Sequence, residues 1–380
     1  MMLSRKLGGF VAILIVLGGA AAFFASFKPI SQKEEKNERA SFMQAMQMSG
    51  FEPVSKPREF TFPQDHGPHR DQRVEWWYYT GNVKSENGQR FGFQITLFRV
   101  GLDAAATGAN ASAWRAKEMY MGHAALTDIN NRKYYFDERF ERGALGLAGA
   151  QSGTNKIWLR DWELTAENGT DFSARVQTEK FSLDFTLHAD KSPVLQGDKG
   201  LSRKGSGVGE ASYYYSIPRL AVRGSVIVDG VTHKVAGEAW LDREWTSAVL
   251  ARGAEGWDWF GLQFSSGENL MLYRLRDKHG EATPWSGGSW VDQNGVVTSL
   301  TAHDFKLTPK SGASTDTYGA YPLHWDINII PIGLRVSTHA AVDNQEFKGF
   351  VRYWEGSVTV SGERQGKAID GVGYMELTGY

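Results

Sequence analysis

The sequence predicts an all-β protein made of antiparallel barrels. Three observations lead there. Short stretches of alternating apolar and polar residues recur at even spacing with turn residues between them. No long segment carries a 3.6-residue period. The chain also holds 13 Trp, 14 Tyr and 21 Phe beside 43 Gly. Aromatic rings suit a pleated, half-buried surface, and glycine suits the tight turns between short strands. A length of 380 residues leaves room for two domains.

In chain order, residues 1–30 read as a targeting element. Arg5 and Lys6 form a basic head, and residues 7–27 are apolar except for Ser26. That run lies between a cleaved signal peptide and a membrane anchor, since a spanning helix needs roughly 20 apolar residues. Either way the basic head predicts that the remainder is exported. With no cysteine in the chain, the expected compartment is a bacterial periplasm, with the protein either soluble or held at the inner membrane by residues 7–27. The absence of cysteine also excludes thiol chemistry, disulfides and thiolate metal sites. A net charge of −1 argues against nucleic acid as a partner. Residues 31–52 are polar and charge-mixed and read as a stalk.

Strands are expected from residue 60 onwards. Residues 76–83 and 90–98 flank the turn Glu86-Asn87-Gly88. Further strands follow at 119–128, 134–139, 158–166, 171–178 and 181–189, with a long Gly/Ser/Lys-rich loop at 191–209. A domain boundary is expected between Ile217 and Pro218, giving domains at 53–217 and 218–380. Hairpins at 220–228 with 232–245 and at 257–264 with 269–276 open the second half. Strands at 288–292, 296–300, 305–308, 324–330, 334–338, 353–361 and 371–377 complete it. Each half carries a strand of acids and tryptophans, residues 75–82 and 238–245, which suggests a weak internal duplication.

Three constellations can carry chemistry. The first is Asp65-His66-Gly67-Pro68-His69 followed by Glu75-Trp76-Trp77-Tyr78-Tyr79. Alternation puts Glu75, Trp77 and Tyr79 on one face and Trp76, Tyr78 and Thr80 on the other. The first face could line a packed core or a ligand cavity. His66 and His69 could bind a metal, fasten a loop, or line a pocket mouth; together with His123 they also allow a metal-dependent hydrolase. The second runs from Gly237 to Trp245, where Glu238, Trp240, Asp242 and Glu244 share a face. Acids placed so are either wet, paired with bases, or partly buried with one proton retained near neutrality, which would make a general acid. The third is Trp257-Asp258-Trp259, followed by Tyr273-Arg274-Leu275-Arg276. Trp257 and Trp259 share a face. Asp258 faces the apolar side, as a perturbed acid or as the partner of an arginine such as Arg276. No nucleophile elbow, Walker loop, dinucleotide fingerprint or zincin motif is present in the sequence.

With these residues in place, the chain resembles the AttH-like group, which includes the carotenoid 1,2-hydratases (hydroxyneurosporene synthases) and proteins described as secreted hydrolases. The resemblance rests on 65–69, 75–82, 239–245, Tyr353-Trp354-Glu355-Gly356 and residues 373–380. It implies two tandem lipocalin-like (calycin) β-barrels. It also implies an apolar ligand, hydration of a C=C bond without a cofactor, and, in many members, an ABC-type permease partner. The residues available as acids are Glu75, Glu238, Asp242 and Asp258. Those expected to line the ligand are His66, His69, Trp77, Tyr79, His123, Tyr214, Trp240, Trp257 and Tyr273. The alternative expected function is a non-catalytic carrier of an apolar ligand or lipid.

Overall fold

Antiparallel pairing runs through the whole architecture, and no parallel pair occurs among the described strands. The computed structural model describes residues 50–102, 117–153, 155–247, 253–310 and 321–380. The expected signal or anchor, and the stalk up to residue 49, lie outside them. The strands of the first sheet are β1 (Val74–Ser85), β2 (Arg90–Gly101), β3 (Glu118–Asp128), β4 (Lys133–Arg142), β5 (Ala148–Gln151), β6 (Lys156–Leu159), β7 (Trp162–Ala166), β8 (Asp171–Gln177), β9 (Phe181–Ala189), β10 (Val194–Leu195), β11 (Leu201–Arg203), β12 (Ala211–Val228) and β13 (Val231–Thr246). Those of the second are β14 (Ala254–Phe264), β15 (Asn269–Asp277), β16 (Gly287–Val291), β17 (Val297–Thr301), β18 (Phe305–Pro309), β19 (His324–Ile329), β20 (Leu334–Ala340), β21 (Glu346–Lys348), β22 (Arg352–Arg364) and β23 (Lys367–Thr378). Among the described residues the only helical element is a 3-10 turn at Gln64–His66.

The first sheet runs β4-β3-β2-β1-β13-β12-β9-β8-β7-β6-β5, with β10 and β11 paired to β12. Its two ends approach one another, β3 and β4 lying against β5 and β6, so the sheet nearly closes into a barrel. The second runs β17-β16-β15-β14-β23-β22-β20-β19-β18 and curls in the same way. The all-β expectation of two barrels therefore holds, but the boundary does not fall at Ile217/Pro218. That position lies inside β12, where a register shift between Ile217 and Leu220 lets the strand bend and continue. Pairing of β12 with β9 and of β13 with β1 keeps residues up to Thr246 in the first barrel. The two acid-and-tryptophan strands that suggested a duplication are neighbours in this one sheet, β1 against β13.

Each barrel interior is packed. The first holds Trp77, Tyr79, Phe93, Phe185, Leu241 and Trp245 among many others, and the second holds Phe260, Phe264, Trp290, Trp325 and Trp354. Alternation then leaves the opposite faces of β1, β2, β13, β14, β22 and β23 for contact between the barrels. Side-chain clasps pin that contact. Asn82 Nδ2 donates to the Gly373 carbonyl at 3.1 Å, and Ser357 Oγ donates to Asn82 Oδ1 at 2.5 Å. Thr127 Oγ1 donates to Gln345 Oε1 at 2.7 Å. Gln263 Nε2 reaches the carbonyls of Pro218 and Ala239, both at 2.9 Å. Gly81 sits where this layering is tightest, since a Cβ there would stand 2.6 Å from both the Glu238 carbonyl and the Phe93 ring.

Candidate functional site

A separate cluster of aromatic side chains lies between the barrels. Tyr78, Tyr214 and Trp240 come from the first barrel, and Trp259, Met271, Tyr273 and Tyr374 from the second. Trp76, Trp257 and Trp285 pack against it while keeping part of their surface open. The strand registers explain the meeting. Across the first sheet Tyr78 pairs with Asp242, and Asp242 with Ser216. Across the second, Tyr273 pairs with Trp259, Trp259 with Glu376, and Glu376 with Glu355. Two rows, one per barrel, thus face each other, and each carries carboxyl groups framed by rings.

Asp242 is buried and accepts three hydrogen bonds: from Tyr214 Oη at 2.6 Å, from Ser216 Oγ at 2.5 Å and from Trp240 Nε1 at 2.7 Å. Burial pushes its carboxyl up to about 7. The three donors oppose that shift, and the Glu244 charge adds to it. Trp259 Nε1 donates to Tyr214 Oη at 3.2 Å, and its ring meets Tyr78 and Trp240 edge-on at 5.3 and 6.0 Å. Glu376 accepts from Trp257 Nε1 at 3.1 Å. It is walled by protein yet keeps part of its surface open. Burial raises its pKa, and the charges of Asp242 and Glu244 raise it further. Glu355, its cross-strand partner, is 1% exposed and raised as well, by burial and then by Glu376. Like charges directly opposite across a strand pair cannot both ionise cheaply, so the pair retains a proton. No Lys, Arg or His among the described residues lies within ion-pair distance of Asp242, Glu355 or Glu376. Glu244, by contrast, is met by Lys204 Nζ at 3.0 Å and by the Ser212 hydroxyl.

This electrostatic arrangement predicts a pH dependence of stability. A carboxyl raised in the folded state contributes most below its unfolded value, and that contribution is lost as pH rises through the folded value. Asp242→Asn is expected to remove the loss between about pH 4 and pH 7. Urea midpoints of wild type and variant should therefore converge in acid, with the variant gaining relative to wild type as pH rises. Parallel pH curves would contradict this.

The structure divides the expected site residues. Tyr214, Trp240, Asp242, Trp257 and Tyr273 converge on the inter-barrel aromatic cluster, Tyr273 reaching Ser202 Oγ at 3.2 Å. Glu75, expected among the proton donors, lies instead at the end of the first barrel. It meets Arg99 and Arg243, the latter at 3.1 Å, and accepts the His69 amide at 3.1 Å on both oxygens. Burial alone would raise it, but the Arg99 charge, the His69 hydrogen bond and the Arg243 charge hold it well below the usual carboxylate range. Trp77 and Tyr79 point with it into the packed core, Trp77 lying 3.8 Å under the Arg243 guanidinium. The other face of β1 instead joins the inter-barrel cluster, with Trp76 and Tyr78.

His69 stacks on Trp245 at 3.7 Å and bonds Asp65 at 3.0 Å; His66 bonds Tyr215 at 2.6 Å. Burial pushes His66 down to about 4, so it is neutral. Both fasten the 65–69 loop over the barrel end. His123 is a barrel-to-barrel contact, held between Tyr353 at 2.8 Å and Glu138 at 3.0 Å. No group of three or more His, Asp or Glu among the described residues is placed to hold a metal, so the histidines do not assemble the hydrolase centre they suggested. Glu238 is partly exposed and paired with Arg219. Asp258 is ion-paired with Arg274 at 2.6 Å and Arg276 at 3.3 Å, and accepts Tyr380 Oη at 2.7 Å. A surface depression of about 570 Å³ lined by Arg139, Phe140, Arg160 and Asp161 carries only surface ion pairs.

Glu376, Glu355, Tyr78, Trp76 and Trp259 lie in or beside this cluster although the sequence assigned them no role. Alternation along residues 371–377 puts Tyr374 and Glu376 opposite Met375 and Leu377, the same signal that picked out Asp242.

The AttH-like family model matches residues 53–380. The chain belongs to the AttH-like family. A crystal structure assigned as an AttH protein of Nitrosomonas europaea is 34% identical, with a TM-score of 0.76, covering 86% of this chain and 99% of its own. Kievitone hydratase of Nectria haematococca shares the fold at 16% identity and a TM-score of 0.65, over 87% of this chain and 98% of its own. CghA, solved with Sch210972, does so at 12% identity and 0.55, over 86% and 95%. Among curated proteins none matches. This AttH-like chain thus shares its all-β, two-barrel fold with these structures.

Proposed function

We propose that this AttH-like protein adds water to a carbon–carbon double bond of an apolar ligand held between its barrels. The observation that carries the reading is the meeting of Glu376 and Asp242 inside one aromatic enclosure with no basic partner among the described residues. The structural likeness to a hydratase is compatible with it.

The chain's own groups can supply each step. Glu376, protonated near neutrality and open on one side, donates its proton to the less substituted alkene carbon. The π pair forms the C–H bond, and positive charge develops on the more substituted carbon. The faces of Trp257, Trp259 and Tyr78 stabilise that charge. Water adds to the cation, and Asp242 accepts the proton it releases. A carboxylate offers about four acceptor sites, and Asp242 uses three of them in the hydrogen bonds above, so one remains. Asp242 then loses that proton to solvent and the partly open Glu376 takes one back, so both carboxyl groups return to their starting states and no net proton is consumed. No cofactor enters this sequence.

Incubation with a prenyl alcohol such as farnesol in water enriched in oxygen-18 tests the reading. The expected product is the tertiary alcohol carrying one labelled oxygen. Binding of the probe with no labelled product would favour the carrier function instead.

A further inference from the structure

Beside the proposed acid lies a cluster of buried polar groups that the hydration chemistry does not use. Glu355 stands on β22 between Tyr353 and Ser357, and each of these is tied across to the first barrel. Gln94 Nε2 donates to Tyr353 Oη at 2.9 Å, and Ser357 Oγ to Asn82 Oδ1 at 2.5 Å. Thr80 stands opposite Gln94 at one of these ties, and Tyr78, opposite Thr96, is the next residue along the same face of β1. Glu355 faces this part of β1, close enough to Tyr78 and Tyr134 for its charge to act on both. Yet Tyr78 Oη, Thr80 Oγ1, Gln94 Oε1, Tyr134 Oη and both Glu355 oxygens are buried with no hydrogen-bond partner among the described residues. Tyr78 and Glu355 influence each other but miss hydrogen-bond geometry. So many unpaired polar atoms in one place are costly, and they fit a ligand better than a closed core.

We propose that Tyr78, Thr80, Gln94, Tyr134 and Glu355 form a recognition pole for a neutral hydroxyl group on the ligand, an alcohol or a phenol. The inference rests on the hydratase reading for the inter-barrel site itself. The donor and acceptor inventory selects the class. Three hydroxyls and one amide oxygen offer both donors and acceptors, which a ligand hydroxyl, itself donor and acceptor, can satisfy. A carboxylate or phosphate would find no cation paired with Glu355 among the described residues. An ammonium only donates and would leave the cluster's own hydroxyl hydrogens unaccepted. Since Glu355 and Glu376 are direct cross-strand partners, with Cβ atoms about 5 Å apart in such pairs, the pole and the proposed acid lie within the reach of one ligand. The ligand is then amphipathic, with an oxygen at one end and an alkene at the indoles.

Binding, not turnover, tests this. Intrinsic tryptophan fluorescence would follow titration of farnesol, its methyl ether and farnesylamine into the full-length protein. Farnesol is expected to bind at least about tenfold more tightly than the ether, because a site built for a hydroxyl leaves its own groups unpaired without one. Thr80→Val, nearly isosteric, and Tyr78→Phe are expected to shrink that ratio towards one while circular dichroism and melting show an intact fold. Equal binding of alcohol and ether by wild type, or an unchanged ratio in both variants, overturns the pole and leaves the hydratase reading standing. Tighter binding of the amine overturns the class. If none of the three probes binds, the inter-barrel site itself fails, and the pole with it.

Discussion

Glu376→Gln is expected to abolish hydration while leaving ligand affinity within a few-fold of wild type. A glutamine keeps the shape and still meets the Trp257 indole, 3.1 Å from the native carboxyl oxygen, but it cannot deliver a proton to carbon. Positioned general acids contribute on the order of 10²–10⁴ in rate, so kcat should fall by that amount with KM little changed. The pH profile carries a second readout. Wild-type activity should decline in alkali as the Glu355/Glu376 pair loses its shared proton, and in acid as Asp242 is protonated. The residual activity of the variant should lack the alkaline limb. Unchanged kcat would remove Glu376 from the reaction, and a rise in KM alone would make it a binding group.

The largest effect on stability is expected at the other acid of the aromatic strand. Glu75 is fully buried between two guanidinium groups that are themselves 1% exposed. Arg243 also bonds the carbonyls of Trp76 at 2.7 Å and Gly67 at 2.6 Å, and Arg99 those of His69 at 2.9 Å and Gln72 at 2.8 Å. Removing that anion takes the carboxylate from the buried Arg243 and leaves Arg99 with Glu118 at 3.2 Å, and breaking a buried pair in this way costs about 3–5 kcal/mol. Urea unfolding of Glu75→Gln at pH 7 should show that loss, and a change below about 1 kcal/mol would mean that water reaches the arginines. The sign with pH is opposite to that at Asp242. The Glu75 carboxyl is held low, so its contribution is full above its unfolded value near pH 4.3 and fades in acid as it protonates. The gap between wild type and variant should narrow there.

How far the sequence reads out is best seen on β1 and β13. The all-β class followed from composition and period, and the alternation assigned each residue to the correct side of its strand. Trp240, Asp242 and Glu244 do share a face, as do Trp76, Tyr78 and Thr80. What alternation lacks is a label for the face that becomes interior. Glu75, Trp77 and Tyr79 looked like a site because an acid among rings reads the same whether arginines close over it or a ligand does. The arginines that decide the matter, Arg99 and Arg243, stand 24 and 168 positions away along the chain. Glu376 was overlooked for a related reason. An acid becomes interesting by what faces it, and its companions Asp242 and Tyr78 belong to the other barrel. Asp258 shows the converse: its apolar face was legible, and the arginine at Arg276 was a foreseeable partner, but Arg274 and Tyr380 join it only through folding.

Glu376 and Asp242 reach the inter-barrel cluster from different barrels, so the gap separating them is set by docking, not by either sheet. The Asn82–Ser357 and Thr127–Gln345 clasps then act as spacers for the chemistry from a distance. A lineage could retune which ligand thickness fits by altering such fasteners alone, with every residue that touches the ligand left as it is.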